Sequence, residues 1–420
     1  MKIYPKRLPK RKLKKILIST VFILALLPYF YAAEIQWIWT DIEKIVAVGD
    51  LHGDYENFIT ILRGTKLIDK SDSWIGGKTH LVQIGDIMDR GDYAKDIFDL
   101  LMKLEKEAEE AGGKVHALIG NHEEYNIADL ALDFPGWVTH KQFISFLTDD
   151  FRKKQEKKFR KEKGKNPPKK TNSDSSTDNN FEEEWKKILR DVVGSFYHPA
   201  RRNYIKNFNK KYGKWILKNN AVIKINDIIF VHGGISEEFS TEKLKDINNR
   251  LRFELEDQRW AVMNSKLKGR IPEQQIKYFR NDDGPLWYRG LATISEDYFK
   301  ENVTRILNNL KAHHIVSAHT PMRRKDEESM KRFNDRVWII DTNISRAYDP
   351  YGRMSALVIE EYGKKFRVLW FGESNKRNES QNKIQFQSKI LSIELGFTEV
   401  QLNKRSWLIA KKKIMQRGIK

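Results

Sequence analysis

Cysteine is missing from all 420 residues. Disulfides, thiolate metal ligands and cysteine nucleophiles are therefore excluded, and any metal centre has to be built from oxygen and nitrogen donors. Acidic residues are also in short supply, with 57 Asp and Glu against 77 Lys and Arg and a formal net charge of +20. A surplus of that size invites a nucleic-acid reading, but its placement argues against one. Residues 1–15 carry eight Lys/Arg and no acid, residues 152–170 carry eleven against two, and residues 401–420 carry seven against none. Those segments hold +8, +9 and +7, so the remaining body is near −4. Basic ends and one basic insert read as solvated tails, and no nucleic-acid partner is expected. What is present suits a globular protein: 40% hydrophobic and 11% aromatic residues supply a sizeable core and exclude a wholly disordered chain.

The N-terminus carries its own signal. A basic arm over 1–15 is followed by the run Ile16–Ala33, apolar except at Ser19, Thr20 and Pro28. This pattern reads as a secretory signal peptide or signal anchor, and its length lies on the border between the two. Ala33 suits the −1 position of a cleavage site, but Tyr31 at −3 does not. An uncleaved anchor is expected, with entry into the secretory pathway and residence in the endoplasmic reticulum membrane or a vesicle derived from it.

Between residues 41 and 372 the chain alternates short β-rich runs with helical spacing. Lys44–Val48, Leu81–Ile84 and Val115–Ile119 predict buried strands, and residues 55–64 and 94–112 predict helices between them. That order implies a parallel β-α-β-α-β unit. Ala221–Val231 predicts a hairpin around Asn226-Asp227, residues 241–262 a helix, Ile315–Ala318 and Val337–Asp341 strands, and Met354–Phe371 a last hairpin. Residues 152–180 have no apolar period and read as a disordered low-complexity insert. Residues 373–420 form a basic extension.

Five polar clusters each follow a predicted buried strand: Gly49-Asp50-Leu51-His52-Gly53, Gly85-Asp86-Ile87-Met88-Asp89-Arg90-Gly91, Gly120-Asn121-His122-Glu123, His232-Gly233-Gly234, and Ala318-His319-Thr320-Pro321. Ligands of an open α/β sheet bind where strand carboxyl ends meet, so five such ends can converge on one cleft. Alone, a Gly-Asp after a strand is a turn and a buried histidine a core residue. Together these clusters deliver carboxylate, imidazole and one amide, a donor set suited to manganese, iron or zinc. A carboxylate can bridge two ions.

The series GDLHGD, GDIMDRGD, GNHEE, VHGG and AHT resembles that of the phosphoprotein phosphatases, within the calcineurin-like metallophosphoesterases, over about residues 41–372. Pro285-Leu286-Trp287-Tyr288-Arg289 and Asp341-Thr342-Asn343-Ile344-Ser345 are similar to segments of the Shewanella-like protein phosphatases, above all their apicomplexan members. The Ser-Ala-Pro-Asn-Tyr segment of the usual eukaryotic Ser/Thr enzymes is absent, so their substrate preference does not carry over.

This resemblance implies an α/β fold with a central β-sandwich, parallel βαβ units and flanking helices. It implies two divalent ions, manganese first, with iron or zinc as alternatives. Asp50 and His52 would hold one ion, Asp86 would bridge, and Asn121, His232 and His319 would hold the other. It further implies that a metal-bridging hydroxide attacks a phosphoserine, phosphothreonine or phosphotyrosine ester. His122, oriented by Asp89, would protonate the leaving group. Arg90, Arg289 and Asn121 would bind phosphate oxygens. Glu123 is read as a structural partner of its loop. Leu286, Trp287 and Tyr288 either line an aromatic slot or belong to the core. Two alternatives stand beside this reading: a small-molecule phosphoesterase such as a dinucleoside-tetraphosphate hydrolase, and a catalytically dead membrane-tethered binding module.

Overall fold

A computed structural model describes residues 35–165, 181–264, 280–322, 326–350 and 352–372. The chain divides into two units, Met1–Phe371 and Gly372–Lys420, and the fold below is that of the first. The basic arm 1–15, the apolar run 16–33 and the extension 373–420 lie outside the described residues.

A short strand β1 (Ile38–Trp39) precedes β2 (Ile45–Val48), α1 (Tyr55–Gly64), β3 (His80–Gln83), α2 (Ala94–Glu110), β4 (Lys114–Ala117) and α3 (Asn121–Ile127). Strands β2, β3 and β4 pair in parallel, with Val46 opposite Leu81 and Leu81 opposite Val115. The expected β-α-β-α-β unit is therefore present. A helical stretch follows: α4 (His140–Ser145), α5 (Asp149–Lys165), α6 (Glu182–Val192) and α7 (Pro199–Phe208). The chain then returns to strand structure through the hairpin β5 (Val222–Ile225) and β6 (Ile228–Val231). Next come α8 (Leu244–Asn264), α9 (Glu296–Leu310), β7 (His314–Ser317), β8 (Lys331–Arg332) and β9 (Val337–Ile339). The hairpin β10 (Met354–Glu360) and β11 (Lys365–Phe371) closes the domain.

These strands build two sheets, ordered β11-β10-β2-β3-β4 and β1-β5-β6-β7-β9-β8. The alternation in β2 shows how they are layered. Ile45 and Ala47 join Val82, Ile229, Val316 and Leu357 in the core between the sheets. Val46 and Val48 face the other way, into a second core with Phe58 of α1 and Phe98 of α2. Both faces of β2 are buried, which is why its sequence is a continuous apolar run without polar alternation. The result is a β-sandwich covered by helices, as expected.

The structure differs from the sequence reading over 152–165. These residues belong to α5 and are helical, not a disordered insert. The helix escapes pattern recognition because its apolar stripe is too sparse. Only Phe151 and Phe159 mark it, among Lys, Arg, Gln and Glu that favour helix by intrinsic propensity. Phe159 is buried and its ring lies 5.4 Å from both Phe181 and Trp185. Residues 166–180, the rest of the expected insert, lie outside the described residues. Removing only 166–180 is expected to leave turnover of a small phosphoester within about three-fold. Deleting the whole of 152–180 removes Phe159 as well, and losing such a ring costs roughly 3–5 kcal/mol. Thermal unfolding of the two deletions should separate them, and equal Tm values would show that α5 contributes nothing.

Candidate active site

Five strand ends meet as the clusters require. Asp50 follows β2, Asp86 follows β3, Asn121 opens α3 just after β4, and His232 and His319 follow β6 and β7. All are buried. Asp86 lies at the middle. Its Oδ1 is 3.3 Å from His232 Nε2, and its Oδ2 is 3.8 Å from His52 Nε2 and 3.9 Å from His122 Nε2. Asp50 Oδ2 is 3.9 Å from His52 Nε2, and Asp50 Oδ1 is 3.8 Å from His232 Nδ1. His232 Nε2 is 2.9 Å from Asn121 Oδ1. Two groups of potential ligand atoms result, His52-Asp86-His122 and Asp86-His232-His319, with Asp86 common to both.

Backbone contacts fix how the imidazoles point. His52 Nδ1 is 3.1 Å from the Met88 carbonyl, and His232 Nδ1 is 2.7 Å from that of Ile84. A donor nitrogen tied to a carbonyl leaves the opposite Nε2 as the ligating lone pair. His319 Nε2 is buried without any hydrogen-bond partner, a cost that a bound cation would remove. Burial holds the pKa of His319 low and that of His52 down to about 3, so both rings are neutral, the form that ligates. Conversely, burial and the neighbouring carboxylates Asp341 and Asp86 push Asp50 up. Glu123 is raised to about 7 and Asp341 to about 6, each chiefly by burial. Burial works against the charge of Asp86 too, but His232, His122 and His52 outweigh it and hold its pKa low. The Asp86 carboxylate likewise raises His232 against the effect of burial. Crowded buried carboxylates, imidazoles aimed at them and one orphaned Nε2 fit a pair of divalent ions.

Glu123 is a loop brace, as its position implied. Its carboxylate accepts the N–H groups of Asp86, Ile87 and Gly120, each at 2.9 Å. Gly120 is required at its position, because a Cβ there would run into the Asp86 carboxylate. The loops are also bent sharply. His52, Asp86, Asp89, Arg90 and His319 all have left-handed backbone, with φ between 40° and 70°.

His122 is set apart from the other imidazoles by its contacts. Its Nδ1 is 2.8 Å from Asp89 Oδ2, and its ring stacks on Trp137 at 4.1 Å. Burial alone would lower its pKa, but Asp86 and Asp89 outweigh burial and leave it raised. The Arg90 guanidinium lies between the rings of Trp137 and Tyr348, 5.2 and 5.0 Å from their centroids. Arg289 Nη1 donates to the His319 carbonyl at 2.8 Å and to Thr320 Oγ1 at 3.1 Å. All ten expected site residues thus gather in one place. Leu286 and Tyr288 are buried in the core, whereas Trp287 is half-buried and meets His319 edge-on at 5.6 Å.

Sequence reasoning missed Asp341, Trp137 and Tyr348. Asp341 is buried beside the Asp50 and Asp86 carboxylates, and it carried the usual signal, an acid just past the strand β9. Tyr348 stacks on His52 at 5.0 Å. It and Trp137 come from loops with no such punctuation.

The family model of the calcineurin-like phosphoesterases matches residues 43–323. Shewanella-like protein phosphatase 1 of Plasmodium berghei (strain Anka) is 28% identical over 313 residues, covering 74% of this chain and 69% of that protein. Shewanella-like protein phosphatase 2 of Arabidopsis thaliana is 34% identical over 211 residues, covering 50% of this chain and 51% of that protein. Among solved structures, the cold-active protein-tyrosine phosphatase of a psychrophilic Shewanella species has the same fold. Its TM-score is 0.51 at 24% identity, over 80% of this chain and 82% of that one.

Proposed function

Because this chain belongs to the calcineurin-like phosphoesterase family, we propose that its buried cluster is the centre of a metal-dependent protein phosphatase. The chain is a phosphoesterase, and its kinship with Shewanella-like protein phosphatases directs it to phosphoproteins. The observation that carries the reading is the sharing of Asp86 between the groups His52-Asp86-His122 and Asp86-His232-His319, with Asp50 and Asn121 alongside and the Nε2 of His319 buried and unpartnered. Asp50, His52, Asp86, Asn121, His232 and His319 would hold two divalent ions, with manganese the first candidate. Such a pair, when bound, lowers the pKa of coordinated water towards roughly 7 and stabilises charge on phosphoryl oxygens.

The remaining residues do the work of positioning and proton transfer. Arg90, pinned between two rings, and Arg289, aimed past the His319 carbonyl, present guanidinium N–H groups to phosphate oxygens. Asn121 adds its side-chain amide. His122, held by Asp89 through its Nδ1, would offer an Nε2 proton to the departing oxygen. Acid assistance of this kind contributes roughly 10²–10⁴-fold. The test is elemental analysis together with phosphate release from a phosphopeptide. Two ions per chain and loss of turnover on chelation are expected. An active chain with a single tightly bound ion would overturn the assignment.

Within this function one observation favours aryl esters. Three partly exposed rings lie against site histidines: Tyr348 on His52, Trp137 on His122 and Trp287 on His319. Tyr125 sits 5.2 Å from Trp137 and 5.6 Å from Trp287, closing the row. An aromatic wall of this kind packs a phosphotyrosine ring better than an alkyl phosphate. Matched phosphotyrosine and phosphothreonine peptides would show it as a higher kcat/KM for the former, reduced in Trp137→Ala.

The basic arm and the run Ile16–Ala33 support a second part of the proposal, attachment to the endoplasmic reticulum membrane. Among the described residues no helix is long and apolar enough to cross a membrane; the proposed anchor is the apolar run of residues 16–33. Deleting residues 1–33 is expected to move the enzyme from the membrane pellet to the soluble fraction with kcat unchanged. Full-length protein recovered free in the cytosol would overturn it.

A further inference from the structure

Asp89 is held by more than His122. Its Oδ2 accepts from His122 Nδ1 and, at 2.9 Å, from Asn126 Nδ2. Its Oδ1 accepts from Gln142 Nε2 at 2.7 Å. Gln142 grips the same residue a second time, because its Oε1 accepts the Asp89 backbone N–H at 2.8 Å. Behind this pair stands Tyr204. Its hydroxyl donates to Asn126 Oδ1 at 2.8 Å and lies 3.5 Å from Gln142 Nε2. Asp89, Gln142, Tyr204 and Asn126 thus form a closed ring of hydrogen bonds. All four residues are at most 1% exposed.

The ring draws on separate parts of the fold. Asp89 is in the loop after β3, Asn126 in α3, Gln142 in α4 and Tyr204 in α7. It also stands where the backbone needs support, since Asp89 and Arg90 are consecutive left-handed residues with φ of 69° and 70°. A carboxylate free to rotate about its Cβ–Cγ bond would leave His122 for part of the time. A carboxylate with three N–H donors and a clamped backbone has one orientation.

We infer that Gln142 is a positioning residue for proton transfer: by gripping both the backbone and the carboxylate of Asp89 it holds that carboxylate on His122, with Tyr204 and Asn126 locking the grip. The helices α4 and α7 are therefore part of the acid machinery and not only a cover. The inference rests on His122 being the acid, so that reading is measured alongside.

The experiment compares nitrophenyl phosphate, whose leaving group needs little protonation, with a phosphothreonine peptide, whose alkoxide needs it fully. Gln142→Leu is expected to keep two ions per chain and an unchanged KM for both substrates. Its kcat should fall roughly 10–100-fold on the peptide, the usual size of an outer-partner effect, and less than about three-fold on nitrophenyl phosphate. In an Asp89→Asn background the same change should add nothing, because both act through one carboxylate. Equal losses on the two substrates, or multiplying losses in the double variant, would overturn the inference. Should Gln142→Leu not fold, Tyr204→Phe keeps the ring packing and removes only the hydroxyl. A loss confined to the peptide supports the inference, and an equal loss on both substrates, or none, overturns it. If His122→Asn itself shows no leaving-group selectivity, the acid assignment fails instead; if it does and Gln142→Leu does not, only the clamp fails.

Discussion

Asp86→Asn is expected to lower kcat by about 10³-fold or more and to reduce bound metal below two ions per chain. Asparagine is nearly isosteric, and Asp86 Oδ1 accepts the His122 N–H at 3.0 Å, a bond an amide oxygen can keep. The fold should therefore survive. What disappears is a negative charge set among His232, His52 and His122, the one acid common to both ligand groups. Removing a single preorganised electrostatic group costs on the order of 10²–10³-fold, and a bridging ligand acts on both ions. Chelating the wild type should imitate the variant. With each site at about a hundred times its Kd, two ions stabilise the fold by roughly 5 kcal/mol, so chelation should lower Tm by several degrees, and the variant should respond less. Wild-type turnover with two ions in Asp86→Asn would remove Asp86 from the centre.

His122→Asn should fail in a different way. Its Nδ1 is engaged by Asp89, and the proposed ligand set is six other side chains, although its Nε2 lies in the group His52-Asp86-His122. Both ions should stay bound. The rate loss should follow the basicity of the leaving group: small for nitrophenolate, near the upper acid–base limit of roughly 10⁴-fold for a threonine alkoxide, and intermediate for tyrosine, whose phenol has a pKa of about 10. His232→Ala, by contrast, should lose metal and slow all three substrates together. Equal defects with metals retained in His122→Asn would mean that the ring acts on phosphate binding or geometry. Kinetics on the three esters, with ion content measured on the same samples, separates these outcomes.

The central strands and the candidate metal cluster were legible because two signals coincide there. In β2, β3 and β4 a short apolar run buried on both faces ends abruptly in Gly-Asp or Gly-Asn, and that punctuation marks both the strand and the ligand. Boundaries shifted slightly, as at β4, where the expected 115–119 becomes Lys114–Ala117. What failed lacks such coincidence. The helix α5 is carried by propensity and two phenylalanines, with no periodic stripe to read. Gln142, Trp137 and Tyr348 reach the centre from helices and loops whose local sequence says nothing of their neighbours. Their roles come from tertiary proximity alone. Asp341 was readable by the same rule as the other acids, since it too follows a strand.

The left-handed backbone of His52, Asp86, Asp89, Arg90 and His319 has a consequence for how this protein can be improved. Each such residue costs roughly 1–2 kcal/mol, so on the order of 5–10 kcal/mol of conformational strain is concentrated in the loops that carry the chemistry. In the metal-free chain, glycine at these positions would release that strain, and those are the substitutions that would disarm the enzyme. A selection scored on survival of the fold alone, run in chelator, should therefore enrich inactive clones altered at these five positions. One scored on turnover should leave them untouched and gather its gains in the helices and the outer strands.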